Sequence, residues 1–480
     1  MKKQVYNPYL PLYEYVPDGE PHVFGDRVYV YGSHDQFGAF AFCHNDYVTW
    51  SASLDDLKNW RYEGIILKKD EDPENKNRSK NLFAPDVCQG PDGKYYIYYA
   101  FDFVGHTGVA RADKPTGPFK FIGYVHFENG EVLGCRKPDT FQFDPGVLVD
   151  DDKRVYLYSG FGPGHWFPQI KPSLKADGGY CMELKDDMMT IIGEPKKVFD
   201  KTGFAGPEFK DHEFFEASSP RKINGKYYMI YSSIQGHELC YAIGDTPFGP
   251  FKYGGTIVSN GDVGLNGRPK SDACYPLGNN HGGLVQIKGQ WYVFYHRHTN
   301  FTNTDRQGMA EKITINEDGS IPQVEMTSCG LNGGPLEGVG EYPASICCCL
   351  KPKKGNVFYP FFRLPWQSLS ETYITQSGKD SDTVETQYIH NLKDGCLLGY
   401  KYFDLSATKT VSLAVKGKAK GTAHLLFEEK GEAVSSVRFD VEGDDGLITL
   451  PVNEGKEKSG VYLKFTDMKG KLDAYKLILK

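Results

Sequence analysis

Five phrases in this chain share one pattern: GDRVYVYGS, DGKYYIYYA, DKRVYLYSG, NGKYYMIYS and KGQWYVFYH. In each, a tight polar turn precedes an aromatic and β-branched run, the signature of a hairpin leading into a central strand. Aligned on Tyr29, Tyr96, Tyr156, Tyr228 and Tyr292, the copies lie 67, 60, 72 and 64 residues apart. That spacing holds about four strands with their loops, the size of a propeller blade. TGPFKFIG, FGPFKYGG and DLKNWRYEG recur between them as outer strands. A sandwich array would not repeat one turn-strand phrase in every unit, so a five-bladed β-propeller over roughly residues 5–320 is predicted.

Composition agrees with an all-β chain. Aromatic residues make up 14%, with 32 Tyr and 30 Phe, and there are 54 Gly; Tyr and Phe favour strands and Gly favours turns. A length of 480 residues exceeds one ordinary core and implies two domains, read as 1–325 and 335–480. Net charge of −7 gives no basic footprint for nucleic acid. No segment approaches a membrane-spanning apolar run. The N-terminus shows no apolar signal core. Eleven scattered cysteines without a C-x-x-C pair argue against a zinc site and for free thiols in a cytoplasmic compartment.

About 10–12 residues before each aligned tyrosine stands an ionisable residue: Asp18, Asp86, Asp144, Glu216 and His281. The first strand of each propeller blade lines the central axis, so these five side chains are expected to converge. One acid at a strand start is ordinary surface chemistry. Four carboxyl groups at matching offsets would repel one another, a cost tolerated where function needs it and one that spreads their pKa values. Glycosidic hydrolysis uses such a set: one carboxyl protonates the leaving oxygen and another, about 6.5–9.5 Å away in the inverting case, activates water. Glu216, preceded by Phe214 and Phe215, suits the proton donor, and Asp18, in the polar turn VPDGEP, suits the base.

The phrases NPYLPLYEYVPDGEPHVFGDRVYVYGSHD, LFAPD, FDPGVLVDDDKRVYLY, FFEASSPRKINGKYYMIYSS and NNHGGL resemble glycoside hydrolase family 43 in order and spacing, over about two thirds of the chain. The resemblance implies a five-bladed propeller and single-displacement hydrolysis with inversion. It implies Asp18 as general base, Glu216 as general acid and Asp144 as the carboxylate that tunes and orients the acid. Arg306 in TDRQG matches the arginine that holds the innermost sugar. His281 matches an axial histidine that lies near a calcium ion or water cluster in many members. The chemistry itself requires no cofactor, and a structural calcium ion in the channel is the one metal implied.

Asp86 in APD is read as a buttress or a substrate contact, and His34 and Asp35 in YGSHD as pocket-border or structural residues. Phe37, Phe42 and Trp166 are candidate sugar-stacking platforms, since sugar rings present apolar C–H faces. Core packing is the competing reading for each, and also for Trp60 and Trp291. His296 and His298 in HRH look like a two-histidine metal motif, but residues two apart on a strand share a face without needing a metal, which is the favoured reading, and GFGPG opens no helix and so cradles no phosphate.

After residue 335, short alternating strands such as TVSLAVKG, SVRFDVEG and GVYLKFTD predict a β-sandwich. It is similar to family 6 carbohydrate-binding modules, with a purely buttressing sandwich as the alternative. SICCCLKP reads as a buried strand near the domain junction. The whole chain reads as an exo-acting hydrolase that releases terminal α-L-arabinofuranose from plant-derived oligosaccharides. β-Xylosidase action on xylo-oligosaccharides and a non-catalytic sugar-binding propeller are the alternatives.

Overall fold

In the computed structural model, which describes residues 4–480 apart from Trp166, Pro168 and Glu385, each repeated phrase forms the second strand of an antiparallel sheet. These strands are Arg27–Tyr31, Tyr95–Phe101, Val155–Phe161, Lys226–Ser233 and Gln290–His298. Four sheets hold four strands in simple up-and-down order, over 20–67, 82–124, 146–200 and 214–259, and the fifth holds three over 284–313. They are the five blades of a propeller. The turns behave as their sequences demand: Asn224–Gly225 and Lys288–Gly289 both take positive φ at each residue, the mirror-image turn whose twist matches flanking strands.

The ring closes between the first and last blades, where Gly19 bridges Gly282 in parallel. In place of a fourth strand, the N-terminal segment runs along the outer edge of the fifth blade. Ala310 N donates to Asn7 Oδ1 at 3.1 Å, and Tyr9 N donates to the Gly308 carbonyl at 3.3 Å. Inner strands crowd the axis: a Cβ on Gly146 would lie 2.0 Å from the Ser218 carbonyl oxygen, so only glycine permits the third and fourth blades to meet there. Between blades, the alternating tyrosines pack in layers, as Tyr29, Tyr31, Tyr47 and Tyr99 do between the first two. Burying each such ring contributes roughly 1.5–3 kcal/mol.

The C-terminal part is one nine-stranded sheet bent into a sandwich. Its longest strand, Ser459–Leu479, pairs successively with partners in 397–403, 389–392 and 340–343, which is how one sheet supplies both layers. Its core is continuous with the propeller: Ile230, Leu239, Val293 and Tyr295 pack in the same cluster as Leu398, Leu413, Phe465 and Leu477. The fully buried Arg297 crosses that junction, donating from Nη1 to the Ser345 carbonyl at 2.9 Å and from Nη2 to Gln307 Oε1 at 3.0 Å. Cys347, Cys348 and Cys349 are buried beside it, the last opening the strand Cys349–Lys351. All eleven cysteines are unpaired. No helix among the described residues is long and apolar enough to cross a membrane.

Candidate active site

Asp18 and Asp144 precede the inner strands Glu20–Phe24 and Gly146–Val149 by two residues, and Glu216 is the third residue of the strand Phe214–Ile223. Their backbones are unusual in the same way. Asp18 has φ 56° and Asp144 φ 44°, and Ala217, next to Glu216, has φ 72°. Non-glycine residues enter that region at a cost, and such strain gathers at functional sites. Around Glu216 the pairing slips twice, between Phe214 and Glu216 and again before Ser219. Bulges of this kind re-aim a side chain.

Arg306 organises the site from the strand Arg306–Ile313. It is 2% exposed, and its guanidinium forks onto Asp35, Nε to Oδ2 at 2.8 Å and Nη2 to Oδ1 at 3.0 Å. Its remaining nitrogen, Nη1, donates to Asp18 Oδ1 at 2.8 Å. Asp35 also accepts from Cys43 N at 2.9 Å, so it is fully committed to fixing the arginine. The Phe42 ring covers the guanidinium with its centroid 4.7 Å away.

The charges of these groups separate their tasks. Burial, reinforced by the negative charge of Asp18, pushes the half-buried Glu216 carboxyl up to about 8, although Arg306 pulls the other way. Burial, with Glu216 and Asp18 as neighbours, raises Asp144 well above the ordinary carboxylate range, while the Ala217 N–H stabilises its charged form. Thus a carboxylic acid able to give a proton near neutral pH stands close to a carboxylate, Asp18, whose charge Arg306 matches. Activity that needs the Glu216 proton is expected to fall as pH rises through about 8. A pH profile of kcat/KM that stays flat well beyond that value would rule Glu216 out as the donor.

His281 faces two of the channel's carboxyl groups, Nδ1 3.6 Å from Asp144 Oδ2 and Nε2 3.8 Å from Glu20 Oε1. Burial lowers its pKa to about 4, which leaves it neutral. Below it, Glu20 Oε2 accepts from Arg221 Nη2 at 2.8 Å and Ser219 Oγ at 3.0 Å, whereas Oε1 is buried without a hydrogen-bond partner. Glu20, His22 and Asp86 bring ligand atoms within 4.8 Å of one another. Of these, only Glu20 Oε1 is left without a partner, since His22 and Asp86 bond each other at 2.6 Å; Glu20 would hold a hard cation such as calcium through that oxygen, with solvent filling the rest of the shell.

Residues 12–321 match the family described as Glycosyl hydrolases family 43. A xylosidase/arabinosidase of Thermoclostridium stercorarium is 48% identical over 459 residues, 95% of each chain. The chain belongs to glycosyl hydrolase family 43. This family 43 enzyme therefore hydrolyses O-glycosidic bonds. Among solved structures, a β-xylosidase/α-arabinofuranosidase from a compost microbial metagenome, complexed with xylotriose and calcium-free, is 28% identical over 66% of this chain and 96% of that one, with a TM-score of 0.51. An arabinoxylan arabinofuranohydrolase of Bacillus subtilis shares the fold across 99% of this chain and 97% of its own, at 21% identity and a TM-score of 0.53.

Several residues expected at the pocket of the family 43 enzyme have other work. Asp86 is not a substrate contact: it is fully buried, accepting from Val87 N at 2.7 Å and Val147 N at 2.8 Å and pairing with His22 Nε2 at 2.6 Å. It lies four residues inside the strand Leu82–Gln89 rather than at its entrance. Both ring nitrogens of His34 are engaged within the protein, Nδ1 by the Asp46 carbonyl at 2.8 Å and Nε2 by Glu14 Oε1 at 3.0 Å. Asp35 is fully buried and holds Arg306. Phe37 is half-buried against Tyr15, its ring 5.6 Å away, and Trp166 lies outside the described residues.

His296 and His298 both bond to Asn279, at 2.8 Å and 2.7 Å, and His296 Nδ1 accepts from Asp18 N at 3.3 Å. This second role makes His296 a positioning residue for Asp18. Its only sequence signal is the shared face of the HRH pair.

Proposed function

We propose that the protein is an exo-acting, inverting glycosidase that removes terminal pentose units, α-L-arabinofuranose or β-xylose, from plant-derived oligosaccharides. The observation that carries this reading is the pairing of a protonated Glu216, raised to about 8, with the arginine-bound Asp18 at one end of the propeller channel. Glu216 gives its proton to the glycosidic oxygen as the bond to the anomeric carbon breaks. Asp18 takes a proton from the water that attacks the opposite face. Solvent exchange then restores both carboxyl groups. Asp144, tied to the backbone beside Glu216, keeps the acid oriented and protonated.

Asp18 and Asp144 are each 4% exposed, which suits a terminal unit entering the channel mouth better than a chain lying across it. Arabinose as the preferred sugar rests on the first-blade phrase YVPDGEPHVFGDRVYVYGSHD. Xylose is supported as the second reading by the 48% identical relative, a xylosidase/arabinosidase. A calcium ion held by Glu20 would supply fixed positive charge beneath the carboxylates. The unpaired thiols support a reducing, cytoplasmic location.

The test is a panel of arabinofuranosides and xylosides, with NMR of the first anomer released. The expected result is pentose release with inverted configuration. A retained anomer would overturn the single-displacement assignment, and no release from any pentoside would overturn the substrate class.

A further inference from the structure

Residues 357–369 of the C-terminal part expose an unusual amount of apolar surface, with Phe361 61%, Phe362 52% and Trp366 63% exposed. A patch of this kind on an otherwise polar surface marks a binding site more often than an accident. The segment is held firmly. Asn303 N donates to the Pro360 carbonyl at 2.7 Å, Asn303 Nδ2 to the Tyr359 carbonyl at 3.0 Å, and Thr302 Oγ1 to the Phe361 carbonyl at 2.8 Å. Those partners lie in the loop that leads directly into Arg306, and Arg363 bonds Asn300 in the same loop. The exposed rings are thus presented by a clamped backbone at the rim of the active site.

The Phe361 ring meets the edge of Phe42 at 5.6 Å, and Phe42 covers Arg306. From Phe42 the contacts continue through Phe83 at 6.4 Å, Phe143 at 5.3 Å, Phe161 at 5.7 Å and Phe215 at 5.0 Å. Phe143 precedes Asp144 and Phe215 precedes Glu216. An unbroken aromatic arc therefore runs from the C-terminal strap to the residues beside the acid. Its inner members are in the propeller and Phe361 is the outermost; Phe362 and Trp366, one and five residues further along the strap, are exposed as well. Sugar rings stack on exposed aromatic faces, and here those belong to the strap, because Phe143 and Phe161 are buried within the arc.

We propose that the C-terminal strap, through Phe361 and then Trp366, forms leaving-group subsites that stack the sugar units beyond the scissile bond. The ligand class is a β-linked pentopyranose or hexopyranose oligosaccharide. This deepens the hydrolase reading and rests on it for the meaning of "leaving group", but binding at the strap is measurable without turnover.

Two experiments separate the ideas. In the first, kcat/KM is measured on a methyl pentoside and on the matching tri- and tetrasaccharides. The preference of the wild type for the longer substrates is expected to drop about three- to tenfold in Phe361→Ala and in Trp366→Ala, the worth of one stacking contact. Leu447→Ala, an exposed apolar residue on another strand of the same domain, should leave that preference unchanged. In the second, xylotetraose binding to the full-length Glu216→Gln protein is followed by tryptophan fluorescence. Phe361→Ala in that background is expected to weaken binding by a similar factor, with Phe361→Trp restoring it.

If the wild type releases no pentose yet binds xylotetraose through the strap, the hydrolase reading fails and the subsite stands. Unchanged chain-length preference in both alanine variants, with unchanged binding in Phe361→Ala, overturns the subsite. So does a dimer that dissociates on Trp366→Ala with the preference intact, because a second copy would then be covering the strap.

Discussion

Glu216→Gln is expected to lower kcat on oligosaccharides by about 10²–10⁴-fold, the usual worth of a general acid. Glutamine keeps the shape of the side chain in the bulged entrance of its strand but has no acidic proton to transfer. The loss should depend on the leaving group. A dinitrophenyl pentoside, whose phenolate departs without protonation, should lose far less activity than an alkyl pentoside or an oligosaccharide. The fall in rate above about pH 8 that comes from Glu216 should also vanish from the residual activity. Comparing kcat for the two leaving groups, with circular dichroism to verify folding, checks the role. An equal loss on both substrates would mean that Glu216 positions the substrate rather than protonates it.

The blades were readable in the sequence because they are local objects. A two-residue turn and the strand after it lie within about ten residues, and their φ values follow from Asn, Lys and Gly at fixed places. The acids at strand entrances were readable for the same reason. Radial position was not. Asp86 shares the offset of Asp18 and Asp144, yet its strand starts four residues earlier, at Leu82, which carries the carboxyl down into the packed channel between His22 and Val147. Nor does local pattern show who holds whom across the ring.

The Asp35–Arg306 fork joins residues 271 apart, and Asp380 of the C-terminal part accepts from Phe37 N at 2.8 Å across 343 residues. The sandwich could be read from its alternating strands, but its fusion to the fourth and fifth blades through Arg297 and one continuous core could not. Nothing in the residues around Arg297 marks it as buried. Its cost is met by Gln307 and by backbone carbonyl groups that arrive from beyond position 340.

Arg306→Ala should abolish measurable activity and destabilise the fold together. Removing the guanidinium strands two buried carboxylates, Asp18 at 4% exposure and Asp35 at 0%, without a counter-charge. Breaking a buried pair in this way costs about 3–5 kcal/mol, visible as a lower denaturation midpoint. The two effects can be pulled apart because the cost is set by uncompensated charge and not by lost contact area. Asp35→Asn combined with Arg306→Met removes one charge of each sign and fills the same space, so part of the stability should return. Activity should not, since Asp18 would still lack its partner at 2.8 Å. Denaturant midpoints and kcat/KM for the single and double variants check this. A wild-type midpoint in Arg306→Ala would show that solvent reaches Asp18 and Asp35 freely. Recovery of both stability and rate in the double variant would show that Arg306 is structural alone.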